Sequence, residues 1–469
     1  MKTVKTDICV IGAGSAGLSF AAGAVQLGKK VVLIEKGKMG GDCLNYGCVP
    51  SKALLAAGAA AQNARDAEKY GVMATPQVDF AAAMAHVKSV IAGIEPHDSQ
   101  ERFEGLGVHV IRAAARFTGP RKVEAGDTTV TAKFFIIATG SSAVIPPLKG
   151  LDTVDYLTNE TLFDQTDKPE HLIILGGGPI GVEMAQAHVR LGAKVTLVDG
   201  MTILNREDAD AVGVVRQRLE AEGVQIIENT LASEVSQEGT TISVTLSNGT
   251  SISGDRLLVA VGRKANFDNL GLDMAGVETH DHGIVSDDNL RTSNKRIFVA
   301  GDVAGGKQFT HVAGDHASTL VRRLLFKAPA KKRDAVAPQV TYCDPELASV
   351  GLNETAAKEA GLSVSVSTWS FDENDRARAE KRTDGFLKVV TTKGGKILGA
   401  SIVGKGAGDE ITTWAKAIAN DDKIVAFTKM IAPYPTRSEI SKRAAGAFYT
   451  PTLFSGRTKF VVKLLSLLD

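Results

Sequence analysis

The sequence predicts an α/β protein organised around parallel sheets. Two observations carry the prediction. An apolar strand, a glycine-rich turn, a helix, a second strand and a terminal acid follow one another twice, once from Ile8 and again from Leu172. The chain also has 469 residues, enough for about three domains that each bury a core. With 44% hydrophobic residues and a net charge of +1, it is not a disordered chain.

The first unit begins with Ile8-Cys9-Val10-Ile11, a short apolar run of the kind found in buried parallel strands. Gly12-Ala13-Gly14-Ser15-Ala16-Gly17 follows at once, and an alanine-rich helix runs from there to about Leu27. Gly28 ends that helix, Val31-Val32-Leu33-Ile34 forms the next strand, and Glu35 stands at its end. Gly12 permits the tight turn, Gly14 lets a pyrophosphate approach the backbone, and Gly17 lets helix and strand pack closely. The helix N-terminus offers N–H groups and partial positive charge to that pyrophosphate, and Glu35 would take the ribose hydroxyls.

The second unit repeats the plan. Leu172 to Leu175 leads into Gly176-Gly177-Gly178-Pro179-Ile180-Gly181, a helix runs to about Leu191, and the strand Lys194 to Val198 ends at Asp199. The interval from Gly178 to Asp199 equals that from Gly14 to Glu35. Two such units imply two dinucleotides, with hydride or electron transfer between them. An acid at position 199 favours the free 2′-hydroxyl of NAD, and Gly200 to Asn205 contain no Arg to hold a 2′-phosphate. NADH is therefore expected over NADPH.

Between the units lies Gly40-Gly41-Asp42-Cys43-Leu44-Asn45-Tyr46-Gly47-Cys48-Val49-Pro50-Ser51-Lys52. A helix with distorted first turns could bring Cys43 and Cys48 together. The pair could also be half a zinc site, or two unpaired core thiols. Zinc would need two more ligands, and Cys9 and Cys343 lie in unrelated strand-like contexts. Beside a dinucleotide fingerprint the pair reads as redox-active, because a helix N-terminus stabilises a thiolate.

Other features exclude whole classes. Lys and Arg total 54 against 53 Asp and Glu, which gives no electrostatic case for nucleic acid. Four cysteines do not make a disulfide-stapled scaffold, and no apolar run is long enough for a membrane span. Met1 to Asp7 shows no signal-peptide core, so a soluble cytoplasmic protein is expected. Residues 54–115 read as alanine-rich helices. Thr240 to Leu246, a Ser247-Asn248-Gly249-Thr250 turn and Ser251 to Ser253 read as a hairpin. The basic, amphipathic stretch Lys459 to Leu465 reads as a packed terminal element, with no membrane contact expected.

The stretch Gly40 to Lys52 closely resembles the redox box of the class I flavin pyridine nucleotide–disulfide oxidoreductases. That family includes dihydrolipoamide dehydrogenase, glutathione reductase and mercuric reductase. The resemblance extends over nearly the whole chain. Ala138-Thr139-Gly140 matches the crossover out of the family's flavin domain, Ala260 to Asn266 its exit from the NAD domain, and Ile297 to Asp302 its second flavin motif. The resemblance implies two Rossmann-like dinucleotide-binding domains plus a C-terminal α+β dimerisation domain. Segment 1–150 would bind FAD and carry the redox disulfide, 151–270 would bind NAD, 271–337 would return to FAD, and 338–469 would form the interface of a homodimer.

It also implies roles. Gly12, Gly14, Gly17, Glu35, Thr139, Gly140 and Asp302 would hold FAD, the last at the ribityl chain. Gly176, Gly178, Gly181, Asp199 and Gly262 would hold NAD. Cys48 would be the charge-transfer thiolate, Cys43 the interchange thiol, Lys52 the cation near flavin N5, and Glu183 its carboxylate partner. His311 matches a position near the flavin, although a lone His is more often structural. Cys343 reads as a structural thiol. No metal site is expected.

Two departures from the family pattern stand out. Pro179 replaces an aromatic residue that often gates the nicotinamide pocket. Near the C-terminus, Pro433-Tyr434-Pro435-Thr436-Arg437-Ser438-Glu439 matches the family's His-Pro-x-x-x-Glu element, with Glu439 kept and Tyr434 in place of His. A phenol does not cycle protons near pH 7 as imidazole does. Mercuric reductases also carry Tyr there, but they end in a cysteine pair, and this chain has no cysteine after Cys343. The expected function is electron transfer from NADH through FAD to the Cys43–Cys48 disulfide and on to a small disulfide, quinone or metal–thiol acceptor. A mercuric-reductase-like enzyme and a redox-sensing flavoprotein are the alternatives.

Overall fold

The computed structural model of the chain describes residues 2–468. Contacts divide it into two compact units. One comprises residues 1–65, 75–200 and 229–334; the other comprises residues 66–74, 201–228 and 335–469.

The first unit holds both nucleotide-type sheets. Strand β1 (Lys2–Ile11) leads into helix α1 (Ser15–Gln26), then strand β2 (Val31–Ile34). A five-residue helix α2 (Gly41–Asn45) and a long helix α3 (Cys48–Asp66) follow, and then strands β3 (His109–Ile111), β4 (Ala115–Gly119), β5 (Lys122–Ala125) and β6 (Thr128–Ile137). Their sheet order is β3-β2-β1-β6-β5-β4. β1 pairs in parallel with both β2 and β6, and its last pair on the β6 side is Ile11 with Ile137. The C-terminal half of β6 also pairs with Ile297–Val299, which returns the chain to this sheet. Apolar residues on the two faces of the sheet form separate buried clusters, one around Phe20 and Leu33, the other around Phe117 and Phe135.

The second sheet of this unit runs Lys194–Val198, His171–Leu175, Arg256–Val259 and Tyr156–Leu157, all parallel. The hairpin expected near 240–253 forms from Thr241–Leu246 and Ser251–Gly254, with Ala232–Glu238 as a third strand. The all-helical expectation for 54–115 holds to Gly105 and then fails, because β3 and β4 extend the first sheet. Helix α3 crosses the helix Pro179–Arg190 closely. A Cβ on Gly58 would lie 3.3 Å from the Ala187 carbonyl oxygen, and the Arg65 guanidinium donates to the Arg190 carbonyl at 2.8 Å.

The second unit is an α+β domain. Its five-stranded antiparallel sheet runs Gln339–Thr341, Glu346–Gly351, Ile397–Gly404, Phe386–Thr392 and Val364–Ser370. The helices Ala407–Ala419 and Glu439–Leu453 pack on it. Trp414 is fully buried, stacks on Phe427 at 3.8 Å between ring centroids, and donates its indole N–H to Ser441 Oγ. Cys343 is buried and donates to the Pro345 carbonyl, as a structural thiol does. The terminal element expected to be packed is not: no residue of the helix Gly456–Leu465 is buried. Among the described residues its Phe460, Val461, Val462, Leu464 and Leu465 side chains all stay exposed.

Segment 201–228 joins this unit through buried charge. Lys388, on the central part of the sheet, places its ammonium 2.8 Å from both carboxylate oxygens of Asp208, and both side chains are nearly fully buried. Asp208 also caps the helix Ala209–Ala221 by accepting from the Asp210 and Ala211 amides. Asp208→Ala removes the cap and leaves the buried Lys388 ammonium with only the exposed Asp210 as a partner, so it should cost about 3 kcal/mol. Asp210→Ala removes an exposed partner and should cost less than about 1 kcal/mol. Urea unfolding followed by Trp414 fluorescence measures both.

Candidate functional site

Both nucleotide turns are built alike. Gly12 has φ +106°, and a Cβ there would meet the Ala138 carbonyl oxygen at 2.3 Å. Gly176 has φ +110°, and its Cβ would meet the Ala260 oxygen at 2.3 Å. A Cβ on Gly17 or on Gly181 would sit 1.9 Å from the carbonyl oxygen of Gly12 or Gly176. In each turn the next amide is anchored on the terminal acid. Ala13 N–H donates to Glu35 Oε2 at 2.6 Å, and Gly177 N–H to Asp199 Oδ2 at 2.5 Å. Both carboxylates are thereby held at the strand end beside their turn.

The residues fit two dinucleotides. Gly14 and Gly178 are the N-caps of their helices, and neither makes a side-chain cap, so the first N–H groups are left to an anion. Gly41 faces Gly14 so closely that a Cβ would come within 2.7 Å of the Gly14 Cα, which keeps side chains out of the FAD-type cradle. Pro179 is the first residue of its helix, where a missing N–H costs nothing. Thr139 and Gly140 are tied to the loop after Gly262. The Thr139 hydroxyl donates to the Asn266 carbonyl at 2.5 Å, and Asn266 N–H donates to the Gly140 carbonyl at 2.9 Å.

Cys43 lies on α2 and Cys48 opens α3, with Tyr46 and Gly47 breaking the helix between them. The two sulfurs are unbonded thiols joined by a hydrogen bond. Cys43 keeps the shared proton. Its thiol is pushed far up, first by that hydrogen bond and then by burial. Cys48 is pulled down to about 6, chiefly by accepting from Cys43, with the Thr310 hydroxyl and the nearby Lys52 charge adding to the effect. Thr310 Oγ1 stands 3.4 Å from Cys48 Sγ. The N-terminus of the 19-residue helix α3 adds positive potential at Cys48. The pair therefore holds one thiolate and one thiol near neutral pH.

Lys52, one turn into α3, pairs with Glu183 at 2.8 Å. Glu183 is 6% exposed at its side chain, and the Lys52 ammonium is the charged partner that a buried carboxylate requires. A second chain of polar contacts starts at Asp42, next to Cys43. Arg263 pairs with Asp42 at 3.1 Å and donates to Ser141 Oγ at 2.8 Å, and Ser141 donates to Asp302 Oδ2 at 2.5 Å. Asp302 is pushed up by burial, against the pull of Ser141 and Arg263. The adjoining Gly301 N–H donates to His316 Nδ1 at 3.1 Å, and His316 Nε2 faces Asp334 at 2.9 Å. His311 is exposed and stacks on Phe309.

Tyr434 and Glu439 belong to the second unit. Tyr434 is 70% exposed and donates its hydroxyl to Asp375 at 3.1 Å. That bond, with the Asp375 charge behind it, pushes the phenol above its ordinary value. Glu439 opens the helix Glu439–Leu453 and pairs with Arg443. Tyr434 is thus held by Asp375, a partner the motif does not contain.

The first unit brings together Cys43, Cys48, Lys52 and Glu183, and ties Thr139, Gly140 and Asp302 to the Gly262 loop. Sequence reasoning missed Thr310, Ser15, Asp42, Arg263 and Ser141. Ser15 also hydrogen-bonds the Cys43 sulfur. Asp42 and Arg263 lie inside the quoted motifs and could have been read as a charge pair. Thr310 gave no signal, since it is 262 residues from its sulfur.

Residues 6–317 match the family described as "Pyridine nucleotide-disulphide oxidoreductase", and residues 337–445 match its dimerisation domain. A mercuric reductase from Streptomyces lividans is 35% identical over 454 residues, covering 94% of this chain and 96% of the relative. A dihydrolipoyl dehydrogenase from Geobacillus stearothermophilus is 34% identical over 458 residues, with the same coverage of each. Among solved structures, the Cu(II) complex of the HOCl-induced flavoprotein disulfide reductase RclA from Escherichia coli is similar with TM-score 0.84 and 28% identity, over 93% of this chain and 99% of that one. LpdA from Mycobacterium tuberculosis is similar with TM-score 0.87 and 26% identity, over 94% and 99%.

In the reduced protein, iodoacetamide should modify Cys48 before Cys43, with a rate that rises through a midpoint near pH 6. Thr310→Val removes one hydrogen bond to the thiolate and should move that midpoint upward. Peptide mapping by mass spectrometry across a pH series checks both. Labelling of Cys43 first would contradict the proton placement.

Proposed function

Because the chain belongs to the pyridine nucleotide-disulphide oxidoreductase family, an FAD-dependent group that uses pyridine nucleotides, we propose that it oxidises NADH and reduces a small acceptor at Cys43. The supporting observation is the Cys43–Cys48 pair with its single shared proton. On this reading segment 1–150 binds FAD, 151–270 binds NAD, 271–337 returns to the flavin, and 338–469 forms the interface of a cytoplasmic homodimer. FAD would be held by Gly12, Gly14, Gly17, Glu35, Thr139, Gly140 and Asp302, and NAD by Gly176, Gly178, Gly181, Asp199 and Gly262. Bound flavin supplies a two-electron relay between reduced nicotinamide and a disulfide.

The chain's own residues do the rest. Lys52, held in place by Glu183, would support negative charge on a bound, reduced flavin ring. Moving the shared proton from Cys43 to Cys48 makes Cys43 the nucleophile. The Cys43 thiolate attacks one sulfur of an acceptor disulfide, forming a mixed disulfide and expelling one thiolate. Cys48 passes the proton to the expelled thiolate and attacks Cys43 Sγ, closing the Cys43–Cys48 disulfide and expelling the second thiolate, which takes a proton from solvent. The net change is NADH plus one proton plus a disulfide giving NAD and two thiols. Asp199 favours NADH, since its carboxylate would face the 2′-phosphate of NADPH.

A second reading has a specific observation behind it. Tyr434, exposed and bound to Asp375, is a poor proton carrier near neutral pH, which favours an acceptor that needs no imidazole base. A metal–thiol complex or a quinone is such an acceptor. The family's mercuric reductases and the Cu(II) complex of RclA are consistent with the metal version.

Steady-state assays of the holoprotein with NADH, offering lipoamide, mercuric ion with excess thiol, and a water-soluble quinone, rank the acceptors. Cys43→Ser and Cys48→Ser should each bring disulfide turnover to background while FAD stays bound. Turnover that survives both changes would overturn the mechanism. The ratio of kcat/KM for NADH over NADPH should be at least about tenfold, and Asp199→Ser should lower it.

A further inference from the structure

Beyond Thr450 the chain changes character. The helix Glu439–Leu453 still buries Ile440, Ala444 and Ala445 in the core of its unit. From Leu453 onward every large apolar side chain is exposed: Leu453, Phe454, Phe460, Val461, Val462, Leu464, Leu465, Leu467 and Leu468. Most are about half exposed or more, and Leu468 reaches 83%. A helix does form there, Gly456–Leu465, and Ser455 caps it by accepting from the Thr458 amide. Helical spacing sorts its residues. Lys459 and Lys463 fall on one side, with Ser466 continuing that stripe and Val462 beside it, while Phe460, Val461, Leu464 and Leu465 share the other, along with Arg457 of the first turn.

The charge pattern says what such a face suits. Between Ile440 and Leu468 the basic residues are Lys442, Arg443, Arg457, Lys459 and Lys463, and there is no Asp or Glu. The whole chain carries only +1, so positive charge is concentrated here. The match to the dimerisation domain ends at residue 445, before this segment, and a twofold contact between copies of it would set like charge against like charge. An anionic partner is the complement. Ten helical residues span about 15 Å, half of a ~30 Å hydrocarbon core, and among the described residues no helix is long and apolar enough to cross a membrane. A segment with this composition lies in a membrane surface, its apolar side among the acyl chains and its lysines among the headgroups.

We propose that the C-terminal segment 453–468 docks the protein on an anionic lipid surface. Phe460, Val461, Leu464 and Leu465 enter the interface, and Lys459 and Lys463 engage headgroup phosphates. The docking is reversible, because one short helix with three basic residues is a modest anchor.

Flotation of the purified FAD-loaded full chain tests this with two vesicle types, phosphatidylcholine alone and phosphatidylcholine mixed with phosphatidylglycerol. The protein should float with the mixed vesicles, release with rising salt, and stay behind with neutral ones. Lys459→Gln with Lys463→Gln should weaken binding about thirtyfold. Phe460→Ser with Leu464→Ser should abolish it. Both variants should keep bound FAD and NADH-dependent turnover with a soluble acceptor, which shows they are folded and separates this test from that of the electron path. Failure of the wild type to float with anionic vesicles, or flotation untouched by both double variants, would overturn the proposal. So would a finding by light scattering that the apolar variant splits a dimer while vesicle binding persists.

Discussion

The redox half of the molecule depends on how closely α3 can lie against the helix Pro179–Arg190. Gly58 leaves no Cβ where the Ala187 backbone passes, so the two helices touch main chain to main chain. That approach carries Lys52 to Glu183 at one end and Arg65 to the Arg190 carbonyl at the other. A buried carboxylate without a cation would be costly, and a cation beside a thiolate needs to be fixed in place. One ion pair meets both needs. It also ties the helix that opens with Cys48 to the helix that opens at the second nucleotide turn. The two helices are thus held at a spacing where a methyl group at position 58 would press on the Ala187 carbonyl oxygen at 3.3 Å.

What the sequence disclosed follows from range. The glycine turns were legible because each is a local event: a strand end, a forced φ, a close carbonyl and an acid at a fixed interval. The same geometry then appears twice, down to the amide of Ala13 on Glu35 and the amide of Gly177 on Asp199. The redox box was legible as a motif, but its geometry was not. The chain does not run one distorted helix through both cysteines; it breaks at Tyr46–Gly47 and starts again at Cys48. Thr310 was invisible because only the folded topology returns it to the sulfur. The short strands β3 and β4 were hidden because so few residues, some of them alanines, carry little periodic signal and gain their identity from the sheet edge they join. The terminal helix misled for the opposite reason. Its amphipathic pattern is real, but a pattern names a face and not the surface that covers it.

The Tyr434 element shows how a substitution is absorbed. The tyrosine keeps a carboxylate partner, though it is Asp375 and not the motif's own Glu439 that accepts its hydrogen bond. Around it the second unit is dense with fixed charge. Glu380 alone gathers Arg376, Lys405 and Arg437 and is drawn down to about 2 despite its desolvation. Asp375 holds the phenol in place and pushes its hydroxyl above the ordinary phenol range.

That division has an electrochemical side. With Cys48 drawn down and Cys43 pushed up by their shared hydrogen bond, closing the disulfide would release one proton for two electrons, not two. The midpoint of such a couple drifts by about 30 mV per pH unit, half the slope of a fully protonated dithiol. Above pH 6 the pair is therefore a reductant whose driving force is comparatively insensitive to acidity. A hydrogen bond between two sulfurs acts, in that sense, as a buffer on voltage.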